Sequence, residues 1–171
     1  GGLLQEFPFK RKEVIAPETA YLITSMLKSV VERGTGRSVQ ALGRPVAGKT
    51  GTTNDFQDTW FIGYTPEMLV GVWVGFDEKR PLGDKETGGR VAAPIWLEFM
   101  QTAMAGRPVN DFALPEGVSF VHIDPKTGLR AAVGGPTLLE CFRRGTEPQG
   151  VAMAAAPAPP PEESGGGGTA N

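Results

Sequence analysis

The pattern of hydrophobic and polar positions predicts two helices on either side of a strand-rich segment. The first helix begins at Pro17, a residue suited to a first helical turn, and runs to about Arg33, where Gly34 closes it. Its apolar residues recur at helical spacing and are expected to form one buried side. They are Ala20, Ile23, Met26, Leu27, Val30 and Val31. A second helix is predicted at about 92–105, and its apolar side is formed by Trp96, Phe99, Met100, Ala103 and Met104.

Residues 46–76 predict three antiparallel strands separated by turns at 54–57 and 65–67. The third strand, 68–76, is almost continuously apolar, which predicts cover on both of its sides. In the first strand, alternation places Thr50 and Thr52 on one side and Lys49 and Gly51 on the other. Two hydroxyls on one side of a strand that borders a cleft are suited to grip a carboxylate. The strand backbone is suited to pair with an extended peptide.

The C-terminal part of the chain has a different character. Residues 109–145 follow the end of the second helix and predict a small β-rich extension. Residues 146–171 are rich in proline, alanine and glycine, and we expect a disordered tail because such a composition cannot bury a core. The predicted division is therefore 1–108, 109–145 and 146–171.

Composition narrows the choice of function. The chain has 171 residues, of which 40% are hydrophobic and 21% charged, and its net charge is −2. It is long enough for one modest core, and it lacks the charge excess that would suggest nucleic acid as a partner.

Cys141 is the only cysteine, which excludes an internal disulfide and gives no zinc pattern. No apolar run reaches membrane-spanning length. The start, Gly1-Gly2-Leu3, resembles neither a signal peptide nor an initiator, so we expect a fragment.

Two motifs with different chemistry overlap in the first predicted strand. Residues 43–50 fit the phosphate-binding loop G-x-x-x-x-G-K-[ST], whereas Lys49-Thr50-Gly51 fits the K-T-G box of penicillin-recognising serine enzymes. A phosphate-binding loop needs a buried strand before it and a helix that starts at Lys-Thr. The upstream flank is polar, the downstream residues are poor helix formers, and Pro45 removes one N–H donor. The context favours a strand, and nucleotide binding is kept only as an alternative.

Two further motif matches are interpreted as structural. Ser25-Met26-Leu27-Lys28 fits the nucleophile box S-x-x-K. However, Ser25 is expected to point away from the apolar side, in the helix middle and far from the positive end of the helix dipole. A second Lys-Thr-Gly occurs at 126–128, within Asp124-Pro125-Lys126-Thr127-Gly128, which has the composition of a turn.

The order and spacing of several segments resemble those of the class A penicillin-binding proteins. The segments that match are 34–36, 44–54, 60–66, 72–77 and 93–96. The resemblance covers about residues 14–145. It implies an α+β fold with a central antiparallel sheet flanked by helices, present here only in part, in which residues 1–108 are the C-terminal portion of a transpeptidase domain. Proteins of this family are bifunctional, membrane-anchored enzymes that build bacterial peptidoglycan.

The resemblance also implies roles for residues in the K-T-G strand. Lys49 would supply positive charge beside the active serine and its proton-relay partners. Thr50 and Thr52 would hold the terminal carboxylate of a stem peptide that ends in D-Ala-D-Ala, or that of a β-lactam. The backbone N–H of Thr52 would be half of the oxyanion hole. Gly51 leaves room for a ligand, and Thr53 adjoins the site as a further substrate-binding residue.

The partners and location implied by the resemblance are those of a cell-wall enzyme. It implies stem peptides and β-lactams as ligands and a site at the bacterial inner membrane that faces the periplasm. Together with the charge balance and the single cysteine, we expect no cofactor, no metal and no nucleic acid. The family's nucleophile box and S-x-N box lie upstream of K-T-G, and this chain contains no Ser-x-Asn. We expect the family's glycosyltransferase domain and membrane anchor to lie outside this chain too. We therefore expect a D,D-transpeptidase fragment that is inactive alone. A non-catalytic peptide-binding module, and a β-lactamase or carboxypeptidase parent, remain as alternatives.

Overall fold

The computed structural model describes residues 12–153 and confirms the predicted α+β class. In chain order the elements are α1 (Pro17–Glu32), β1 (Ala47–Thr52), β2 (Asp58–Tyr64), β3 (Leu69–Gly75), α2 (Ala92–Ala103), β4 (Val118–Ile123) and β5 (Leu138–Arg143). Two short 3-10 segments, Arg37–Leu42 and Asn54–Phe56, precede and follow β1. The two helices and the three strands between them lie where the sequence predicts them.

The central sheet is antiparallel and has the order β1-β2-β3. Within the described residues, β1 therefore lies at one edge of this sheet. Its register places Thr50 opposite Phe61, and the next pairing places Trp60 opposite Trp73. Because side chains of directly opposed residues share a face, these pairs define the two sides of the sheet.

The core lies between this sheet and α2. Phe61 and Trp96 are fully buried, and their rings meet edge to face with centroids 5.3 Å apart. A buried indole N–H needs an acceptor, and that of Trp96 donates to the carbonyl oxygens of Gly63 at 3.3 Å and Val70 at 3.1 Å. A Cβ on Gly63 would lie 3.0 Å from the Trp96 ring, so only glycine allows this approach. The other buried members of the cluster are Val31, Val39, Val46, Ala92, Ala93, Met100 and Met104.

The apolar side predicted for each helix is wider than the side that the structure covers. Ile23 is 50% exposed and Met26 61% exposed on α1, and Phe99 is 52% exposed on α2. Helical spacing defines a stripe, but neighbouring elements decide which part of it is buried. On α1 the side that includes Tyr21 and Ser25 faces β4 and β5, so Ser25 is half-buried beside a cavity and does not project freely into solvent.

The predicted cover on both sides of the third strand is wrong for the described residues. One side of β3 packs on α2, but the other side is open, with Leu69 68% and Trp73 46% exposed. On the neighbouring strand, Trp60 and Ile62 are 43% and 46% exposed on the same side. Lys49 lies opposite Ile62 and shares this side. We refer to these five residues as the open sheet face.

The C-terminal extension is a two-stranded antiparallel sheet, β4-β5, that rests on α1. Tyr21 of α1 meets Phe120 of β4 edge to face at 6.3 Å, and Arg33 forms an ion pair with Glu140 of β5 at 3.0 Å. No helix in the range 12–153 is long and apolar enough to span a membrane.

Residues 146–153, predicted to begin the tail, instead contact this extension. The carboxylate of Glu147 accepts hydrogen bonds from the Ser119 hydroxyl and the Gly145 N–H, and the Ser119 bond in particular lowers the pKa of Glu147 below its ordinary value. Ala152 is buried, and its N–H donates to the carbonyl of Arg130 at 2.8 Å. Composition alone did not reveal these bonds, so the predicted boundary at 146 is too early. The rest of the predicted tail, 154–171, lies outside the described residues.

Candidate functional site

The Lys49-Thr50-Gly51 motif lies in the middle of β1 and is paired with β2 along its length. The segment before it is the 3-10 helix Arg37–Leu42, closed by Gly43 in the left-handed region at φ 71°. A phosphate-binding loop would instead join a buried strand to a helix that starts at the lysine. The phosphate-loop alternative is therefore wrong for this chain.

Within residues 12–153, the outer edge of β1 pairs with no other strand and carries a row of backbone hydrogen-bonding groups. The N–H of Thr53 donates to the carbonyl of Asp58 at 3.0 Å, so these two residues form a hydrogen-bonded pair. In an antiparallel ladder such pairs alternate with non-hydrogen-bonded ones. The N–H and carbonyl groups of Thr50 and Thr52 therefore point away from β2. The Thr52 N–H, which the resemblance implies as half of an oxyanion hole, thus points away from β2.

The hydroxyls of Thr50 and Thr52 each meet a different loop. We call them the hydroxyl pair, since alternation puts both on the side of the sheet that bears Phe61. The Thr50 Oγ1 lies 2.6 Å from the Oγ1 of Thr35, in the turn that follows α1. The Thr52 Oγ1 accepts a hydrogen bond from the N–H of Gly88 at 3.1 Å, in the loop that precedes α2. Because residues two apart along an extended strand are separated by about 6.6 Å, the hydroxyl pair spans about that distance along β1.

Two glycines allow the loop before α2 to lie directly against β1. A Cβ on Gly88 would be 2.6 Å from the carbonyl oxygen of Gly51, and a Cβ on Gly89 would be 2.5 Å from that of Thr35. Both distances are too short for a side chain beside rigid backbone. The loop, the turn at Thr35 and the strand therefore form one closely packed wall around the hydroxyl pair.

Lys49 projects from the opposite side of β1, on the open sheet face. Its Nζ donates to the carbonyl of Thr50 at 2.8 Å, one of the carbonyls that point away from β2. Within the part of the chain that the structure describes, no carboxylate lies within ion-pairing distance of this ammonium. Lys49 thus places positive charge at the edge of the strand, beside the outward-facing carbonyl of Thr50.

Gly51 and Thr53 have different surroundings from the hydroxyl pair. Gly51 lies opposite Trp60, with Gly88 beneath it. The Thr53 hydroxyl accepts a hydrogen bond from the N–H of Asp58 at 2.8 Å and so stabilises the connection between β1 and β2. Thr53 thus has an observed structural contact, and its substrate-binding role stays a prediction.

The second Lys-Thr-Gly forms a turn, as the sequence predicts. The Oδ1 of Asp124 accepts from the backbone N–H of Lys126 at 2.9 Å, from the backbone N–H of Thr127 at 2.8 Å and from the Thr127 hydroxyl at 3.0 Å. These bonds, that of the Thr127 N–H above all, hold the pKa of Asp124 below its ordinary value. Gly128 closes the turn at φ 71°. The hydroxyl and the backbone N–H of Thr127 therefore both form hydrogen bonds within the turn.

Sequence reasoning missed Thr35 and Gly88 as parts of the site. They lie 15 and 36 residues from their partners in β1. The signals that the sequence offers are the Gly34-Thr35-Gly36 segment, which resembles the family pattern, and the paired glycines 88 and 89 in a polar loop. Neither signal identifies a contact with β1 without the fold.

Comparison with known proteins gives a consistent result. Residues 5–101 match the family described as the penicillin binding protein transpeptidase domain. Penicillin-binding protein 1A of Pseudomonas aeruginosa is 46% identical over 146 residues, which are 84% of this chain and 18% of that protein. Its namesake from Aquifex aeolicus is 42% identical over 148 residues, 86% of this chain and 20% of that protein.

A solved structure shows the same similarity. The crystal structure of penicillin-binding protein 1A from Haemophilus influenzae matches with a TM-score of 0.74 and 35% identity, over 82% of this chain and 22% of that chain. The chain therefore spans about a fifth of the length of the curated relatives that it matches.

Proposed function

Since the chain belongs to the penicillin-binding protein transpeptidase family, we propose that it forms the substrate-gripping wall of a D,D-transpeptidase active site in a longer protein. The observation that carries the proposal is the position of K-T-G in an edge strand. This strand combines an outer backbone edge that pairs with no strand in residues 12–153, two hydroxyls on one side and a lysine on the other. These are three means of recognising an extended peptide that ends in a carboxylate.

The proposed substrate is a peptidoglycan stem peptide that ends in D-Ala-D-Ala, and β-lactams would occupy the same place. The outer edge of β1 pairs with the peptide backbone by β-augmentation. The hydroxyls of Thr50 and Thr52 donate to the terminal carboxylate. Hydrogen bonds to a charged group are roughly twice as strong as neutral ones, so these contacts select a free carboxylate over an amide.

The proposed reaction is acyl transfer through a serine that lies outside this chain. The serine oxygen attacks the carbonyl carbon of the penultimate D-alanine, and the terminal D-alanine leaves with the proton that the serine gave up. An amine of a neighbouring stem peptide then attacks the acyl-enzyme and releases the serine. The outward N–H of Thr52 stabilises the oxyanion in both steps, and Lys49 adds positive charge beside the reacting atoms.

The open sheet face supports the proposal that the nucleophile belongs to another part of the longer protein. Trp60, Ile62 and Trp73 leave about half of their surfaces exposed there, and contiguous apolar surface of this kind usually marks an interface. Lys49 lies on the same face. An element that covers this face would therefore reach the side of β1 from which Lys49 projects.

The remaining features follow from the proposed identity of the longer protein. They are a glycosyltransferase domain, a membrane anchor and a location on the periplasmic side of the bacterial inner membrane. Within this chain, 1–108 is proposed as the transpeptidase portion and 109–145 as an extension, to which the contacting residues 146–153 are added. No nucleic acid or cofactor takes part in the proposed reaction.

Labelling with a fluorescent penicillin, followed by a denaturing gel, tests the proposal. We expect covalent labelling of the longer protein and none of the isolated chain. In the longer protein, Ser25→Ala should still be labelled, because Ser25 faces the extension and not β1. Failure of the longer protein to label would contradict the proposed function. A labelled isolated chain whose label disappears in Ser25→Ala would show that the nucleophile is Ser25.

A further inference from the structure

We propose that Thr35 is a positioning residue that aims the hydroxyl proton of Thr50 at the substrate carboxylate. This inference rests on the proposed function and deepens it, because it assigns carboxylate recognition to a residue outside the K-T-G strand. Thr35 lies in the Gly34-Thr35-Gly36 turn, 15 residues before Thr50.

The argument begins with the hydrogen-bonding capacity of a hydroxyl. A threonine hydroxyl has one proton to donate and two lone pairs that accept. The oxygens of Thr35 and Thr50 are 2.6 Å apart, so one of the two hydroxyls donates to the other. If Thr50 donates to Thr35, Thr50 has no proton left for a ligand. If Thr35 donates to Thr50, the Thr50 proton is free.

A carboxylate ligand selects the second arrangement. An ionised carboxylate only accepts hydrogen bonds, so it binds Thr50 only when that proton points outward. Thr35 then donates to the same oxygen that donates to the carboxylate. Successive hydrogen bonds in one direction polarise and strengthen one another, and the last of them ends on a charge. The benefit of Thr35 therefore depends on the charge of the ligand.

Thr52 receives equivalent support from the other loop. The N–H of Gly88 can only donate, and it donates to the Thr52 oxygen, which leaves the Thr52 proton free in the same way. With a carboxylate bound, both members of the hydroxyl pair would thus receive one hydrogen bond from a neighbouring loop. Gly89 lies directly against the Thr35 carbonyl, so the two supporting loops also contact each other.

The backbone around Thr35 is held before any ligand arrives. The N–H groups of Gly34 and Gly36 both donate to the carbonyl of Val30, at 3.0 and 3.1 Å, at the end of α1. The Thr35 side chain itself is exposed, so its bond to Thr50 adds little to folding. A fixed backbone with an exposed hydroxyl is suited to positioning a partner.

The test measures the second-order acylation rate of the longer enzyme with two β-lactams. One has a free carboxylate, and the other is the same compound with that carboxylate converted to an amide. For Thr35→Val we expect a loss of about three- to tenfold with the free acid, the range of one neutral hydrogen bond. The loss with the amide should be less than about twofold. Thr35→Ser keeps the hydroxyl and should restore the rate. As a matched control, Thr137→Val removes a hydroxyl that bonds to His122 in the extension and should have no effect.

A double-mutant cycle separates positioning from general damage. If Thr35 acts through Thr50, Thr35→Val/Thr50→Val should be no slower than Thr50→Val alone, to within about twofold. The inference would be overturned if the loss in the double variant equals the product of the losses in Thr35→Val and Thr50→Val. It would also be overturned if Thr35→Val loses equally with both ligands, or if Thr35→Ser does not restore the rate. The proposed function would survive those results as long as Thr50→Val keeps a carboxylate-dependent loss. Absence of that loss in Thr50→Val would contradict the proposed function itself.

Discussion

The chain contains the tripeptide Lys-Thr-Gly twice, at 49–51 and at 126–128, and the two copies have different structures. The first is an extended edge strand whose threonine contacts a distant residue, Thr35. The second is a tight turn whose threonine bonds to Asp124, three residues away. The first copy presents backbone groups and the Thr50 hydroxyl at the edge of a sheet. In the second copy, the corresponding N–H groups and the Thr127 hydroxyl bond to Asp124 within the turn.

The difference shows that the motif acquires its chemistry from its neighbours. Val46 and Ala47 before the first copy are buried and anchor β1 in the sheet, and Thr52 after it continues the alternation. In the second copy, Asp124 offers the backbone a local acceptor that competes with a strand, and Gly128 supplies the positive φ that a turn requires.

The largest expected effect is a difference in acylation rate between substitution of Lys49 in the first copy and of Lys126 in the second. In the longer enzyme, Lys49→Ala removes a charge beside the proposed reacting atoms and should slow acylation by about a hundred- to thousandfold, as the loss of one electrostatic contact typically does. Lys126→Ala is the matched control. It should change the rate by less than about twofold because Lys126 contributes only its backbone N–H to the turn. Equal damage from both substitutions would remove the distinction between the copies.

The next prediction tests the dependence of the first copy on a distant loop. Gly88→Ala places a Cβ 2.6 Å from the carbonyl of Gly51, and we expect it to lower the free energy of unfolding by about 1–3 kcal/mol, as overpacking does. Gly36→Ala is the control in the same region, because its Cβ would come no closer than 3.4 Å to another atom. Thermal unfolding of both variants of the longer protein measures the difference. A harmless Gly88→Ala would contradict the close contact of this loop with β1.

The smallest effect concerns the second copy and pH. Because hydrogen bonds hold the pKa of Asp124 below its ordinary value, its contribution to stability is present above that ordinary value and is lost as pH falls through the folded-state pKa. Acid should therefore loosen the turn at 124–128. Asp124→Asn keeps an acceptor oxygen without the charge and should abolish this pH dependence. Amide hydrogen exchange of Lys126 and Thr127, corrected for intrinsic rates between pH 3 and 6, measures it. Identical pH dependence in both proteins would contradict the role of the carboxylate.

The sequence predicted the elements of the fold well because their periodicities are local. α1, the three central strands and α2 were all predicted from spacing, turn residues and prolines. Burial was predicted less well. The exposure of Ile23 and Phe99 and the open side of β3 depend on which other elements cover a given stripe, and a one-dimensional pattern does not contain that information.

The candidate site likewise contains some features that local sequence predicts and others that depend on the fold. Alternation along one strand was sufficient to place Thr50 and Thr52 together and Lys49 on the other side. Their supports, Thr35 and Gly88, come from separate segments that meet only when α1 and α2 pack against the sheet. The outward direction of the Thr52 N–H likewise follows from the hydrogen-bond register, which the sequence alone did not fix.

The central claim is that the first copy grips a substrate carboxylate and that the second does not. The most direct test is the acylation rate of Thr50→Val and Thr127→Val in the longer enzyme, with a free-acid β-lactam and its amide. Both substitutions keep the β-branched shape and delete one hydroxyl. We expect Thr50→Val to lose about ten- to a hundred-and-fifty-fold with the free acid, the range for a hydrogen bond to a charged group. That loss should largely vanish with the amide, and Thr127→Val should stay within about twofold with either ligand. Equal losses for Thr50→Val with both ligands, or a comparable loss in Thr127→Val, would contradict the claim.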